Sequence, residues 1–325
     1  MTQRIVFLDR DSMAPYTEIR RPAFAHEWVE YDRTRADLVA ERLRGAHIAI
    51  TNKVSIDAAQ LAELPELKMI AVAATGTDML DVAACEAQGI IISNIRGYAI
   101  NTVPEHAFAL ILGLRRSISA YHCDIANGEW LRADRFCLFT HPIEDLHGKQ
   151  LGVLGEGALG SAVAAIGENG FGMRAAFLDH EFVSDDARRS KSFLPLDDLL
   201  ATSDVLSVHC PLTPATHHLL NLNAFKRMKP TALVVNTARG AVIKEDDMVA
   251  AIKGGLIAGA GIDVLDGEPP AVDHPYMALM DRPNFILTPH VAWASREAMQ
   301  ALADQMIDNI ENFAAGKPSN VVTKG

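Results

Sequence analysis

The stretch that most constrains this chain is Lys149-Gln-Leu-Gly-Val-Leu154, an apolar run that reads as a buried strand. Gly155-Glu-Gly-Ala-Leu-Gly160 follows at once, and then the Ala-rich Ser161 to Ile166, which reads as a helix. In such a turn Gly155 permits the sharp reversal, Gly157 lets another molecule approach the backbone, and Gly160 lets the helix pack closely on the strand. The amides of Ala158 and Leu159 then lie at the positive end of a helix, where an anion is held favourably. A second strand, Arg174 to Leu178, ends in Asp179, 24 positions beyond Gly155. That is close to the roughly 20 at which a carboxylate meets the ribose hydroxyls of a dinucleotide. Gly-x-Gly-x-x-Gly alone occurs in ordinary turns; strand before, helix after and acid downstream make it a dinucleotide site, with a carboxylate that favours NAD over NADP. Glu156 puts a negative charge inside the loop, which costs little if it points to solvent.

Strand-like and helix-like stretches alternate along the rest of the chain. The first hundred residues give strands near Ile5 to Leu8, Ala46 to Thr51, Lys68 to Ala73 and Ile90 to Ser93, with Asp57 and Asp78 as expected N-caps of the helices that follow. Further strands are expected at Gln150 to Leu154, Ala175 to Leu178, Val205 to His209, Ala232 to Asn236, Ala258 to Asp263 and Asn284 to Leu287. Asn101 to Tyr121 reads as one long helix, entered through Thr102 and Pro104. Such alternation implies two doubly wound α/β domains with parallel sheets, and 325 residues suit two domains. Ligands belong at the carboxyl ends of the strands, where Lys53 follows one and Thr75-Gly76 another.

Three short segments in the second half supply an arginine, a carboxylate and a histidine beside strand-like runs: Asn236-Thr-Ala-Arg-Gly240, Gly267-Glu-Pro-Pro270 and Thr288-Pro-His290. Arg239 offers a planar fork of donors for a carboxylate. His290 is suited to pass a proton to or from an adjacent oxygen, and Glu268, reaching its second ring nitrogen, would fix the tautomer and favour the charged ring. Together these are the parts for reducing an α-keto acid.

With Ala74-Thr-Gly-Thr-Asp78, Asn101-Thr-Val-Pro-Glu-His106, His209-Cys-Pro-Leu-Thr213 and Gly261-Ile-Asp-Val264 in order along the chain, the sequence resembles the D-isomer-specific 2-hydroxyacid dehydrogenases throughout. Val72 to Asp78 and His290-Val-Ala-Trp-Ala-Ser295 are most similar to the branch that reduces hydroxypyruvate to D-glycerate. The resemblance implies a Rossmann cofactor domain, 101–290, inserted in a flavodoxin-like substrate domain, 1–100 with 291–325, and a cleft that closes over the ligands. It implies that Lys53, Thr75, Gly76, Arg239 and Trp293 meet the substrate. Asp263, Thr237 and Ala238 would orient the nicotinamide carboxamide, while Thr102 and Val103 lie near the pyrophosphate and nicotinamide, and His209, Cys210, Pro211 and Thr216 line the dinucleotide site. Within the family, glyoxylate is an expected side substrate, with D-lactate or 3-phosphoglycerate dehydrogenase as the alternative. Glu268 counts against formate dehydrogenase, which has glutamine there. Outside enzymes, the corepressor-type dinucleotide sensors share the fold.

A formal net charge of −11 without basic runs argues against nucleic-acid or anionic-membrane partners. The cysteines at 85, 123, 137 and 210 have no paired or zinc-like spacing, and no leader precedes the first strand, so a cytoplasmic protein with reduced thiols is expected. His217 and His218 are adjacent, and His141 and His147 lack a carboxylate partner set, so no metal is expected. The apolar face Ala107, Leu110, Ile111 and Leu114, followed by Trp130, Phe136 and Phe139, points to a homodimer.

Overall fold

The computed structural model of the chain describes residues 2–322. By their contacts these fall into two units, 2–99 with 294–322, and Ile100–Trp293. Each is built on a wholly parallel sheet, as crossover helices between strands require. Among the described residues no helix is long and apolar enough to cross a membrane.

The first unit contains β1 (Gln3–Phe7), β2 (His26–Glu30), β3 (Ile48–Thr51), β4 (Met69–Val72) and β5 (Ile91–Ser93) in the order β2-β1-β3-β4-β5, the flavodoxin-like arrangement. β3 and β4 are buried along their whole length. β2 was not anticipated: half-exposed and charged, it is an edge strand without the apolar run that marks the others. Asp57 caps helix Ala58–Ala62 in a reciprocal box with Gln60. Asp78 does not cap. A turn closed by the Leu80 amide on the Thr77 carbonyl takes up that position, and Asp81 caps helix Val82–Ala87 instead. The last helix, Arg296–Ala314, is capped by Ser295 and buries Met299, Leu302, Ala303, Met306, Ile307 and Ile310 at helical spacing.

The second unit contains β6 (Gln150–Leu154), β7 (Arg174–Leu178), β8 (Phe193–Leu194), β9 (Val205–Val208), β10 (Leu233–Asn236), β11 (Gly259–Ile262) and β12 (Phe285–Leu287). Their order, β12-β11-β10-β9-β6-β7-β8, is the Rossmann arrangement with one strand added. The strand order turns back between β6 and β9, so the segments following those two strands flank the crevice where a ligand belongs.

The helix expected over Asn101 to Tyr121 is two. Thr102–Arg115 ends where Ser117 takes a left-handed conformation (φ +49°), and Ile118–Ala126 starts afresh. The break has a cause: Arg115 turns inward to Glu144 (2.8 Å) and the Asp204 carbonyl (2.6 Å), while the Ser117 hydroxyl donates to the Pro142 carbonyl. The face Ala107, Leu110, Ile111 and Leu114 is buried inside this unit against Leu151, Val153, Leu233 and Val235, so it is core and no part of an exposed surface. The apolar surface lies farther on, where Leu131, Phe136 and Phe139 are 89%, 90% and 84% exposed.

Candidate active site

The glycine loop leaves β6 and packs against the segment leaving β9. Gly155 has φ +107°, and a Cβ there would stand 2.8 Å from the His209 carbonyl oxygen, so only glycine fits. A Cβ on Gly160 would lie 1.9 Å from the Gly155 carbonyl oxygen, which is how closely helix Ala158–Phe171 approaches the turn. A Cβ on Gly157 would meet nothing within 4 Å; the backbone beside the amides of Ala158 and Leu159 is open to an approaching group. The Thr237 hydroxyl, after β10, is buried without a hydrogen-bond partner among the described residues. An open anion cradle at a helix N-terminus and an orphaned hydroxyl beyond the next strand end are features that suit a dinucleotide.

Asp179 follows β7 and is ion-paired with Arg188 at 2.5 Å. Glu156 does not point freely to solvent. Its carboxylate lies 3.0 Å from His180 Nε2, while Lys191 donates to the Glu156 carbonyl and to the Ser161 hydroxyl. Burial acts to raise the Glu156 carboxyl, but the hydrogen bond from His180 and the charges of His180 and Lys191 outweigh it and hold the group below its usual value. The negative charge in the loop is therefore compensated. His180 is a residue that sequence reasoning missed; its only signal was its place beside Asp179.

On the β9 side, burial pushes His209 down to about 4 and the Cys210 thiol up to about 11, so both are neutral near pH 7. His209 Nε2 lies 2.7 Å from the Ser207 hydroxyl. The Thr216 hydroxyl donates to the Pro211 carbonyl and accepts from the Thr213 amide, closing the Pro211–Thr216 turn on itself. Thr102 and Val103 stand in the first turn of helix Thr102–Arg115, with the Thr102 hydroxyl on the Ala292 carbonyl at 3.1 Å.

Arg239, Glu268 and His290 all belong to the second unit, beyond β10, β11 and β12. Asn236 shapes the Arg239 segment by donating to the Arg239 carbonyl (2.9 Å) and accepting from the Ala238 amide (3.0 Å). His290 Nδ1 lies 2.5 Å from Glu268 Oε2, and the other Glu268 oxygen accepts from the Leu265 amide at 2.8 Å. His290 has a left-handed backbone (φ +54°) and its carbonyl accepts from Trp293 Nε1 at 3.0 Å. Backbone strain at a non-glycine residue persists only where its surroundings hold it.

Asp263 supplies that hold. It is 1% exposed; one carboxylate oxygen accepts from the Thr288 hydroxyl (2.5 Å) and the Val291 amide (3.0 Å), the other from the Ala292 amide (2.9 Å). Its carbonyl accepts from the His290 amide at 2.8 Å. His106 Nε2, 3.0 Å from the Thr288 hydroxyl, completes a cluster that the sequence did not disclose.

Lys53, Thr75 and Gly76 lie in the first unit, past the ends of β3 and β4. There Asp9, following β1, accepts from the amides of Asn52 (3.0 Å) and Lys53 (2.7 Å), fixing the turn at the reversal point of that sheet. The Thr75 hydroxyl donates to the Ile95 carbonyl, and Asn94 donates to the Thr75 carbonyl, each at 2.7 Å. Among the described residues no cluster of His, Cys, Asp and Glu is placed to hold a metal ion.

The profile of the family described as D-isomer specific 2-hydroxyacid dehydrogenase, NAD binding domain, matches residues 108–292. Over its length the chain is similar to glycerate dehydrogenase of Methylorubrum extorquens, with 46% identity over 323 residues, 99% of each chain. Hydroxypyruvate reductase of Blautia hydrogenotrophica is 33% identical over 92% of each. Among solved structures, NADPH-dependent glyoxylate/hydroxypyruvate reductase of Sinorhizobium meliloti in complex with citrate superposes with a TM-score of 0.83 at 28% identity, covering 99% of this chain and 98% of that one.

Proposed function

The chain belongs to the D-isomer specific 2-hydroxyacid dehydrogenase family, and we propose that within it the chain reduces hydroxypyruvate to D-glycerate, and runs the reverse oxidation, with glyoxylate as a side substrate. The observation that carries the reading is the 2.5 Å contact of His290 Nδ1 with Glu268, in the unit that also holds the glycine cradle and Arg239. Formate oxidation moves no proton and has no use for that pair.

NADH, when bound, supplies the hydride that the keto carbon accepts. Gly157, Ala158 and Leu159 would hold its pyrophosphate, Asp179 its ribose, and the Thr237–Ala238 segment its carboxamide. Arg239 binds the substrate carboxylate through its fork of donors and draws charge from the neighbouring carbonyl. With Nδ1 on Glu268, the proton for the carbonyl oxygen leaves from His290 Nε2. Glu268 holds the ring by its Nδ1 through that transfer. Trp293, held on the His290 carbonyl, forms a wall beside it.

Absorbance at 340 nm with NADH tests this against hydroxypyruvate, glyoxylate, pyruvate and phosphohydroxypyruvate in parallel. Hydroxypyruvate should give the highest kcat/KM. NADH binding without turnover on any of the four would favour a dinucleotide sensor instead.

The same reading makes the enzyme a cytoplasmic homodimer. All four cysteines are free thiols, in keeping with a reducing compartment. The exposed Leu131, Phe136 and Phe139 suit a self-complementary two-fold contact. Light scattering at micromolar concentration should return twice the 35.2 kDa chain mass. A single-chain mass held across dilution, with activity retained, would refute the dimer.

A further inference from the structure

The segment that carries Glu268 is exposed from Asp266 to Asp273, so burial does not hold it in place. Its two ends are held, and by one side chain. The Asp266 amide donates to Glu245 Oε1 at 2.9 Å, and at the other end His274 Nε2 lies 2.9 Å from Glu245 Oε2. Of this second pair the imidazole is buried and the carboxylate partly so, with the His274 and Glu245 side chains 6% and 12% exposed.

Both are well fixed. Glu245 opens helix Glu245–Lys253, where the positive end of the helix favours a carboxylate. His274 Nδ1 accepts from the Tyr276 amide at 3.3 Å, which leaves the ring proton on Nε2, the nitrogen within ion-pair distance of Glu245. Tyr276, 1% exposed, packs against the His274 ring and against Phe285 in the core. At the Asp266 end a Cβ on Gly240 would stand 1.9 Å from the Leu265 carbonyl carbon. Leu265 and Asp266 are thus backed by Gly240 on that side, and a shift of the pair would carry Glu268 away from His290.

We propose that Glu245 is a positioning residue for the proton transfer: it clamps both ends of the segment from Asp266 to His274 and so keeps the Glu268 carboxylate on His290. This rests on the reading of Glu268 and His290 given above. Glu245 acts only through Asp266 and His274, so its removal should alter the proton step and spare the dinucleotide.

The test compares Glu245→Gln, Glu245→Ala, Glu268→Gln and the double variant Glu245→Ala/Glu268→Gln. Reductive kcat and KM are followed from mildly acid to mildly alkaline pH, with NADH Kd from fluorescence titration. Glu268→Gln should move the alkaline fall of kcat to lower pH, because the charged imidazole loses its negative partner. Glu245→Ala should move it in the same direction and lower kcat roughly tenfold, less than the about 100-fold that a 1 Å misplacement of a reacting group costs. NADH Kd should stay within about twofold, and the double variant should be no worse than Glu268→Gln alone, since both act through one contact. Should Glu245→Ala fail to fold, Glu245→Gln and His274→Asn carry the same comparison. Glu245 variants that melt earlier yet keep the wild-type pH profile, or single effects that multiply in full, would overturn the proposal. An unmoved profile for Glu268→Gln would instead remove the assignment of Glu268, and with it the target on which Glu245 acts.

Discussion

At the scale of single residues, the side chains with the sharpest chemistry were the most legible, because each stands in a short segment beside a strand. Their partners were not. Glu245 reaches His274 from 29 positions away and Asp263 reaches Ala292 from the same distance, and no local pattern announces such pairs. Arg239 makes the plainest prediction. Arg239→Ala should abolish most keto-acid reduction and Arg239→Lys restore only part of it, because a point charge cannot copy a two-pronged fork. NADH affinity should hold; near wild-type turnover in both variants would remove Arg239 from the substrate. Asp179 makes a second prediction, sharpened by its ion pair with Arg188. On the proposed reading, Asp179→Ala removes the ribose partner and also releases the Arg188 guanidinium from its ion pair, which favours a 2′-phosphate. The ratio of kcat/KM for NADH over NADPH should therefore fall at least about tenfold, as loss of a hydrogen bond to a charged group costs roughly 1.5–3 kcal/mol. An unchanged ratio would place cofactor choice elsewhere.

Among elements, buried strands were read to within a residue or two because a continuous apolar run leaves little choice. The failures share a cause. β2 is an edge strand, β8 has two residues, and the helix after Asn101 stops because Arg115 finds partners at Glu144 and Asp204 that only the folded chain brings near. The glycine turn was legible because it is local: Gly160 answers to the Gly155 carbonyl and Gly155 to the end of the neighbouring strand. Gly160→Ala tests the tightest of these approaches. Its methyl would overlap the Gly155 carbonyl, so the helix must move outward, costing about 1–3 kcal/mol in stability and weakening NADH binding. Denaturant unfolding and fluorescence titration would show both losses. A variant as stable and as tight as wild type would contradict the close packing.

For the molecule as a whole, His209 ties stability to acidity. Burial holds it near 4 against about 6.5 in an unfolded chain, so the unfolded state binds the proton more readily between those values. Stability is complete above about pH 6.5 and falls as pH drops toward 4, by up to about 3 kcal/mol from this group alone. His209→Gln should flatten that slope in unfolding curves taken across the window; an equal slope would assign it to other groups. Two parallel-sheet domains were foreseeable from alternation and length and their types from the family resemblance, whereas the surface expected to meet a second copy included a helix face that is core. The division of the chain has its own consequence during synthesis. Helix Arg296–Ala314, whose Asn309 bonds to the Asn94 carbonyl, belongs with β1–β5 yet is translated only after the whole of 100–293. Residues 100–293 are contiguous, so every strand of their sheet is available once they emerge, whereas the helix that packs against β4 of the first sheet follows only after them. That nascent sheet, rather than the catalytic half, is where a chaperone has the longest opportunity to bind.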